Sequence, residues 1–291
     1  MIPLIISAPF GNYFQPEWAI PTLGTFTYWA RRTNRNQYNE RLWWLGLAWR
    51  MATTLRYHRR LGGWTNRLGL KNPGINSLLD RVRYKHLDLS RKIVSIHGFT
   101  LLEWDELFRQ VRLVAVKPLA VELNVSCPNV EVSTLAAIAD VFKVARGRLP
   151  DHRLIAKLPP LHAVELARRA VDEGIDAVHC TNTLPCPGGG LSGATLRPLA
   201  VNAVRDIRER FGSKLAIVGG GGVLLPEHAL EFVKAGAGAV AIGSGLLRLT
   251  GRRAWAAEIE KALWDTRTPQ FPIYWLGEPS HVEPDFPHGP G

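Results

Sequence analysis

Cys127 stands in a setting that could do acid–base chemistry. The string Asn124-Val-Ser-Cys127-Pro-Asn129 surrounds the thiol with amides and a turn-forcing proline. A structural thiol is more often buried in an apolar run, whereas a loop thiol among amides can exchange a proton if its surroundings tune it. Of the other two cysteines, Cys180 reads as core, and Cys186 is undecided. Lys157 closes the apolar run Leu154-Ile155-Ala156. A lysine at the inner end of a buried strand is costly without an anionic partner, which an electron-rich ring or a bound acid would supply. Two glycine groups, Gly219-Gly-Gly-Gly222 and Gly243-Ser244-Gly245, permit close backbone approach and convergent N–H groups. Each glycine alone could serve a tight turn. Together they favour a phosphate cradle at Gly222, Gly243 and Ser244.

The elements that must position these groups recur regularly. Short β-branched or apolar runs predict strands at 4–7, 24–28, 92–96, 120–125, 153–158, 176–180, 214–219 and 239–243. Helical spacing covers 133–146, 161–173, 199–211 and 226–235, with Pro226 in a first turn and Gly236 at a stop. The βαβα alternation demands a parallel sheet, and eight repeats in this length fit a closed (β/α)8 TIM barrel better than an open sheet. Catalytic groups of such a barrel sit beyond the C-terminal strand ends. That is where Asn124–Asn129, Lys157, Thr181-Asn182-Thr183 and both glycine groups fall. The expected organisation is one α/β domain over 1–268, with an enlarged Arg/Trp-rich insertion or lid at 29–64 after the second strand. A C-terminal extension follows at 269–291, capping the barrel through Tyr274 and Trp275, with its last ten or so residues disordered.

Composition narrows the field. The 291 residues are 46% hydrophobic and 21% charged, which excludes disorder and a coiled coil for the whole chain. Three cysteines without a Cys-x-x-Cys pair argue against a disulfide framework, zinc or an iron–sulfur cluster. The N-terminus lacks the basic head and apolar stretch of a signal peptide, and no apolar run is long enough to span a membrane, so a cytoplasmic protein is expected. The net charge of +11 suits nucleic acid, anionic lipid or an anionic substrate, or an arginine-biased genome, since arginine outnumbers lysine 27 to 9. Half of the ten tryptophans fall between Trp29 and Trp64. There, Trp44, Leu45, Ala48, Met51 and Leu55 share one helical side. A basic amphipathic helix of this kind packs on its own protein or lies peripherally on a membrane, and the first is favoured.

With these motifs in order, the chain resembles the dihydroorotate dehydrogenases. The resemblance rests on Glu122-Leu-Asn-Val-Ser-Cys-Pro-Asn129, Ile155-Ala-Lys-Leu-Pro-Pro160, Asn182-Thr183, Gly189-Gly-Leu-Ser-Gly193, Gly219–Val223 and Thr65-Asn66-Arg67-Leu68-Gly69-Leu70-Lys71-Asn72-Pro73-Gly74. It runs from about residue 64 to 248, and implies an FMN barrel that oxidises dihydroorotate to orotate in pyrimidine synthesis. By resemblance, Cys127 is the catalytic base and Lys157 the lysine at the flavin ring. Asn66, Asn124, Asn129, Asn182 and Thr183 hold the substrate, and four amides suit a ring with both donors and acceptors. Asn124, Lys157, Gly193, Gly221, Gly222, Gly243 and Ser244 hold FMN. The resemblance leaves the electron acceptor open among fumarate, a quinone and a partner flavoprotein, and a homodimer is expected.

The N-terminal third departs from the family pattern. Family members carry a lysine after the first or second strand, where this chain has Asn12-Tyr13 and Tyr28-Trp29. Arg31 or Arg32 is the candidate replacement. Two further readings remain. A tRNA-dihydrouridine synthase also has a cysteine in a similar loop, but the Lys157-Leu-Pro-Pro string and the lack of a nucleic-acid-gripping helical domain disfavour it. A non-catalytic FMN barrel acting as a surface scaffold is the other.

Overall fold

Strand runs that are apolar on both faces pair in parallel and are covered on both sides. The computed structural model, which describes residues 2–31, 53–67, 69–126, 134–248, 250–266 and 271–276, contains eight such strands. They are β1 (Leu4–Ile6), β2 (Ile20–Phe26), β5 (Ile93–Ile96), β6 (Ala120–Leu123), β7 (Leu154–Leu158), β8 (Ala177–Cys180), β11 (Ala216–Gly220) and β12 (Ala239–Ile242). They close a barrel in the order β1-β12-β11-β8-β7-β6-β5-β2. The closed (β/α)8 reading of the sequence holds, and the open sheet does not. β2 begins four residues before its expected start, because Pro21, which lacks a ladder donor, breaks the sequence signal.

Helices α1 (Ile75–Lys85), α2 (Leu101–Arg112), α3 (Leu135–Arg148), α4 (Ala163–Asp172), α5 (Arg197–Phe211), α6 (Pro226–Lys234) and α7 (Arg252–Trp264) cover the outside. Thr100 and Thr134 cap α2 and α3 by accepting from the backbone N–H three residues on, which satisfies otherwise orphaned donors. A short 3-10 turn, Phe10–Asn12, replaces a helix between β1 and β2. The tryptophan-rich helix expected near 42–51 lies outside the described residues. Among those residues, no helix is long and apolar enough to cross a membrane.

A second sheet was not foreseen. Strands β3 (Arg56–His58), β4 (Gly63–Asn66), β9 (Leu184–Cys186) and β10 (Gly189–Gly193) form an antiparallel layer in the order β3-β4-β10-β9. It joins the segment before Asn66 to the segment after Asn182. Gly190 pairs with Asn66 and Gly193 with Gly63. At Gly189 (φ +106) a Cβ would run into the Asn66 carbonyl oxygen, so glycine is required for this close approach.

The period-2 alternation of strands divides the barrel interior into layers. Ile93, Ala120, Ile155 and Ala177 belong to an apolar cluster inside the barrel. Two residues further along the same strands stand Ser95, Glu122, Lys157 and His179, all buried. The interior is therefore apolar at its base and ionic at its top. The base is closed by the C-terminal segment: Ile273 and Leu276 are buried there with Trp275 packed alongside. Trp275 caps as expected, but Tyr274 does not, being 86% exposed, because the turn at Tyr274–Leu276 points the residues on either side inward instead. Ile273→Ala is expected to lower stability by about 2–5 kcal/mol, the usual range for truncating a buried isoleucine. Chemical denaturation reads this, and an unchanged midpoint would show the segment to be dispensable.

Candidate active site

At the C-terminal mouth of the barrel lies a cavity of about 840 Å³, a size typical of ligand and cofactor sites. Nine of the residues singled out in the sequence line it: Asn66, Asn124, Lys157, Asn182, Thr183, Gly221, Gly222, Gly243 and Ser244. Gly193 does not; it stands behind the wall, its carbonyl oxygen against Gly222. Cys127 and Asn129 lie outside the described residues. Their chain neighbour Ser126 is anchored, donating its hydroxyl to the Lys157 carbonyl oxygen at 2.6 Å.

The amides are held in a connected network. Asn182 Nδ2 donates to Asn124 Oδ1 at 2.9 Å and to Ser126 Oγ at 3.2 Å, while its Oδ1 accepts from the Thr183 N–H. Asn124 Nδ2 donates to Thr25 Oγ1 at 2.9 Å. Thr25 and Ser95 hydroxyls meet at 2.9 Å, and Ser95 donates to Glu122 Oε1 at 2.8 Å. Asn66 comes from the second sheet, donating to the Gly190 carbonyl oxygen at 3.3 Å.

Under the amides, Glu122 meets Lys157 Nζ at 3.6 Å and His179 Nδ1 at 2.8 Å. Burial alone would push the Glu122 carboxyl up. Lys157, His179 and Ser95 outweigh it and hold it at about 2, so Glu122 is an anion. Burial pushes His179 below its ordinary value, and the Lys157 charge adds to that, so the imidazole is neutral near pH 7. A carboxylate only accepts, which puts the His179 proton on Nδ1. Lys157 thus has its anionic partner within the chain. Neither Glu122 nor His179 was assigned a role from the sequence, although Glu122 lay in a motif. The readable signal was their placement, two positions past an inward apolar residue.

These shifts give stability a definite pH dependence. His97, His152, His179 and His228 are all lowered from 6.5, chiefly by burial. A lowered folded value means that the unfolded chain takes up protons first, so stability is full above about 6.5 and is lost as pH falls through that range. Glu122 adds a second loss as pH falls from 4.5 towards 2. Urea midpoints measured from pH 8 to 4 are expected to fall steadily on the acid side; a flat profile would contradict the assignment.

The glycine loops after β11 and β12 form a cradle. Gly221 (φ +125) and Gly222 (φ +73) adopt backbone that L side chains rarely take, and a Cβ on Gly222 would collide with the Gly193 carbonyl oxygen. Gly243 is roomier, with Ser7 Cβ 3.7 Å from where its Cβ would lie. Backbone held this close to the cavity, at the usual barrel phosphate position, fits the phosphate end of FMN. The lysine and amides at the cavity floor fit the polar end of its ring.

The expected lysine near the first strands has no direct substitute in Arg31. Arg31 donates to the Gly69 carbonyl oxygen at 3.1 Å and sits 4.5 Å over the Phe99 ring, away from the cavity wall. Asn12 is structural, its amide pinned to Gly24 N, Gly24 O and Pro9 O. Lys71, in the Asn66–Gly74 segment, does line the cavity.

The sequence pattern of the family described as Dihydroorotate dehydrogenase matches residues 53–265. The catalytic subunit of dihydroorotate dehydrogenase B (NAD(+)) from Thermotoga maritima is 32% identical over 202 residues, 64% of this chain and 73% of that protein. The corresponding subunit from Brachyspira hyodysenteriae is 34% identical over 210 residues, 63% and 67% of the two chains. A relative from Aquifex aeolicus, 33% identical over 206 residues, covering 62% and 66%, is named for fumarate. The crystal structure of DHODH from Eimeria tenella in complex with ferulenol superposes with a TM-score of 0.71 at 18% identity, covering 90% of this chain and 80% of that one, which shows the shared fold. With a closed parallel barrel, a glycine cradle and a family match over most of its length, the chain belongs to the dihydroorotate dehydrogenase family of FMN-dependent oxidoreductases.

Proposed function

We propose that this chain oxidises dihydroorotate to orotate, and the observation that carries the reading is the convergence of Asn66, Asn124, Lys157 and Asn182 with the glycine cradle on one cavity. Asn124 and Asn182 hold the pyrimidine ring by its amide edges, with Asn66 and Asn129 completing the set. Thr183 adds a hydroxyl beside them. Cys127 removes the proton from C5 as the C5=C6 bond forms. FMN, when bound, supplies the two-electron acceptor for the hydride that leaves C6. Lys157, paired with Glu122, keeps a positive charge at the cavity floor. Gly221, Gly222, Gly243 and Ser244 hold the phosphate, with Gly193 backing them. Fumarate and NAD appear in the names of relatives and are the first acceptors to test. The deciding experiment is anaerobic mixing of the yellow protein with dihydroorotate. Loss of flavin absorbance with formation of orotate supports the reading; a flavin that stays oxidised rejects it in favour of a barrel that only binds FMN.

A further inference from the structure

We propose that Glu122 is the positioning residue on which both halves of the site depend. Through Lys157 it places the charge beside the flavin. Through Ser95 and Thr25 it fixes which way the Asn124 and Asn182 amides face. The proposal rests on the FMN and pyrimidine assignments made above.

The argument starts from a hydrogen-bond chain whose sense is forced. Glu122 is 2% exposed and anionic, so it can only accept, and Ser95 must donate to it. With its single proton spent, Ser95 can only accept from Thr25. Thr25 therefore accepts from Asn124 Nδ2, and Asn124 Oδ1 in turn accepts from Asn182 Nδ2. Four groups point one way, towards one carboxylate, over distances of 2.8–2.9 Å. Hydrogen bonds in such a series polarise one another in a dry interior.

The chain decides what a ligand meets. Both Asn182 N–H groups are committed, to Asn124 and Ser126, so Asn182 offers its Oδ1, which also accepts from Thr183. Asn124 keeps one N–H for the cavity. An unpinned asparagine could present either end, and donor–acceptor discrimination on the ring would be lost. On the other side Glu122 holds Lys157 and takes the His179 proton donor on its second oxygen. Breaking one partner of such a buried set is costly, because it strands a charge.

The test uses the holoenzyme with three readouts: FMN affinity of the apoprotein, the FMN midpoint potential, and orotate binding followed by flavin absorbance. Glu122→Gln leaves the Lys157 ammonium without its counter-charge and lets an amide face Ser95. Its midpoint potential is expected to move to more positive values, and orotate to bind at least tenfold more weakly. A tenfold change in the ratio of reduced to oxidised FMN affinity reads as about 30 mV for a two-electron couple. Ser95→Ala cuts the amide arm and also takes a donor from Oε1, so orotate binding weakens several-fold and the potential moves negative, opposite to Glu122→Gln. His179→Leu leaves the carboxylate one donor short, so it draws the ammonium in and the potential moves negative. His179→Gln, which still donates, restores it.

A structural role would not give this pattern. In a Lys157→Met background the stranded Glu122 carboxyl takes up a proton, so Glu122→Gln should leave the potential where Lys157→Met put it. A folded Glu122→Gln holoenzyme with wild-type potential and orotate affinity overturns the proposal. Should that variant not fold, Ser95→Ala and His179→Leu decide it, and wild-type behaviour of both overturns it equally. Failure of orotate to bind the wild-type protein strikes the pyrimidine reading instead, and leaves the potentials to be read on FMN alone.

Discussion

Cys127→Ala is expected to purify yellow, to bind orotate, and to reduce its flavin about a hundredfold to ten-thousandfold more slowly than wild type on mixing with dihydroorotate. The size follows from the role. A general base is needed only in the transition state, so its removal lowers the rate of flavin reduction and leaves ground-state binding in place. The surroundings sharpen the expectation. Its neighbour Ser126 is tied to the Lys157 backbone, and Asn124 is tied to Thr25, so the loop leaves β6 from a fixed start. In wild type the reduction rate should rise with pH as the thiol ionises, and that limb should vanish in Cys127→Ala. Cys127→Ser is the finer comparison, since a hydroxyl is a much weaker acid and should lie between the two. Rapid-mixing absorbance measures all three, and a wild-type rate in Cys127→Ala removes the base from the mechanism.

Gly222→Glu is expected to purify colourless, with FMN affinity reduced by more than a hundredfold. Three effects add. The backbone at φ +73 costs about 1–2 kcal/mol for a residue with a Cβ. That Cβ would strike the Gly193 carbonyl oxygen, which is backbone and cannot swing away. The new carboxylate would also face the phosphate it displaces. Gly243→Ala is the control, because its φ is negative (−143) rather than left-handed and 3.7 Å of room remains to Ser7 Cβ. It should keep its flavin. Full flavin content in Gly222→Glu, by absorbance ratio after gel filtration, would move the phosphate elsewhere.

The sequence by itself determined the barrel and most of one wall of its site. Strand runs with apolar residues on both faces read as buried parallel strands, and eight of them, most with helices between, fit a closed barrel better than an open sheet. Because a barrel places its loops at the C-terminal strand ends, Asn124, Lys157, Asn182 and the glycine groups could be assigned to one mouth from order alone. Local spacing is a near-neighbour signal, and it carried no further. The second sheet pairs Asn66 with Gly190, residues far apart in the chain, and no short window encodes that match. Gly193 was placed in the cofactor wall by its motif, whereas the fold sets it behind Gly222. Arg31 was a candidate for the missing charge, but a cation can also settle on a ring and a carbonyl, and Phe99 and Gly69 supply both. Most of all, only the closed barrel brings Ser95, Glu122, Lys157 and His179 from four strands to one layer. On paper each is a lone polar residue in an apolar run. Inside the barrel the low dielectric makes them depend on one another, so the charge on Lys157 and the facing of two amides are tertiary properties that no single strand contains.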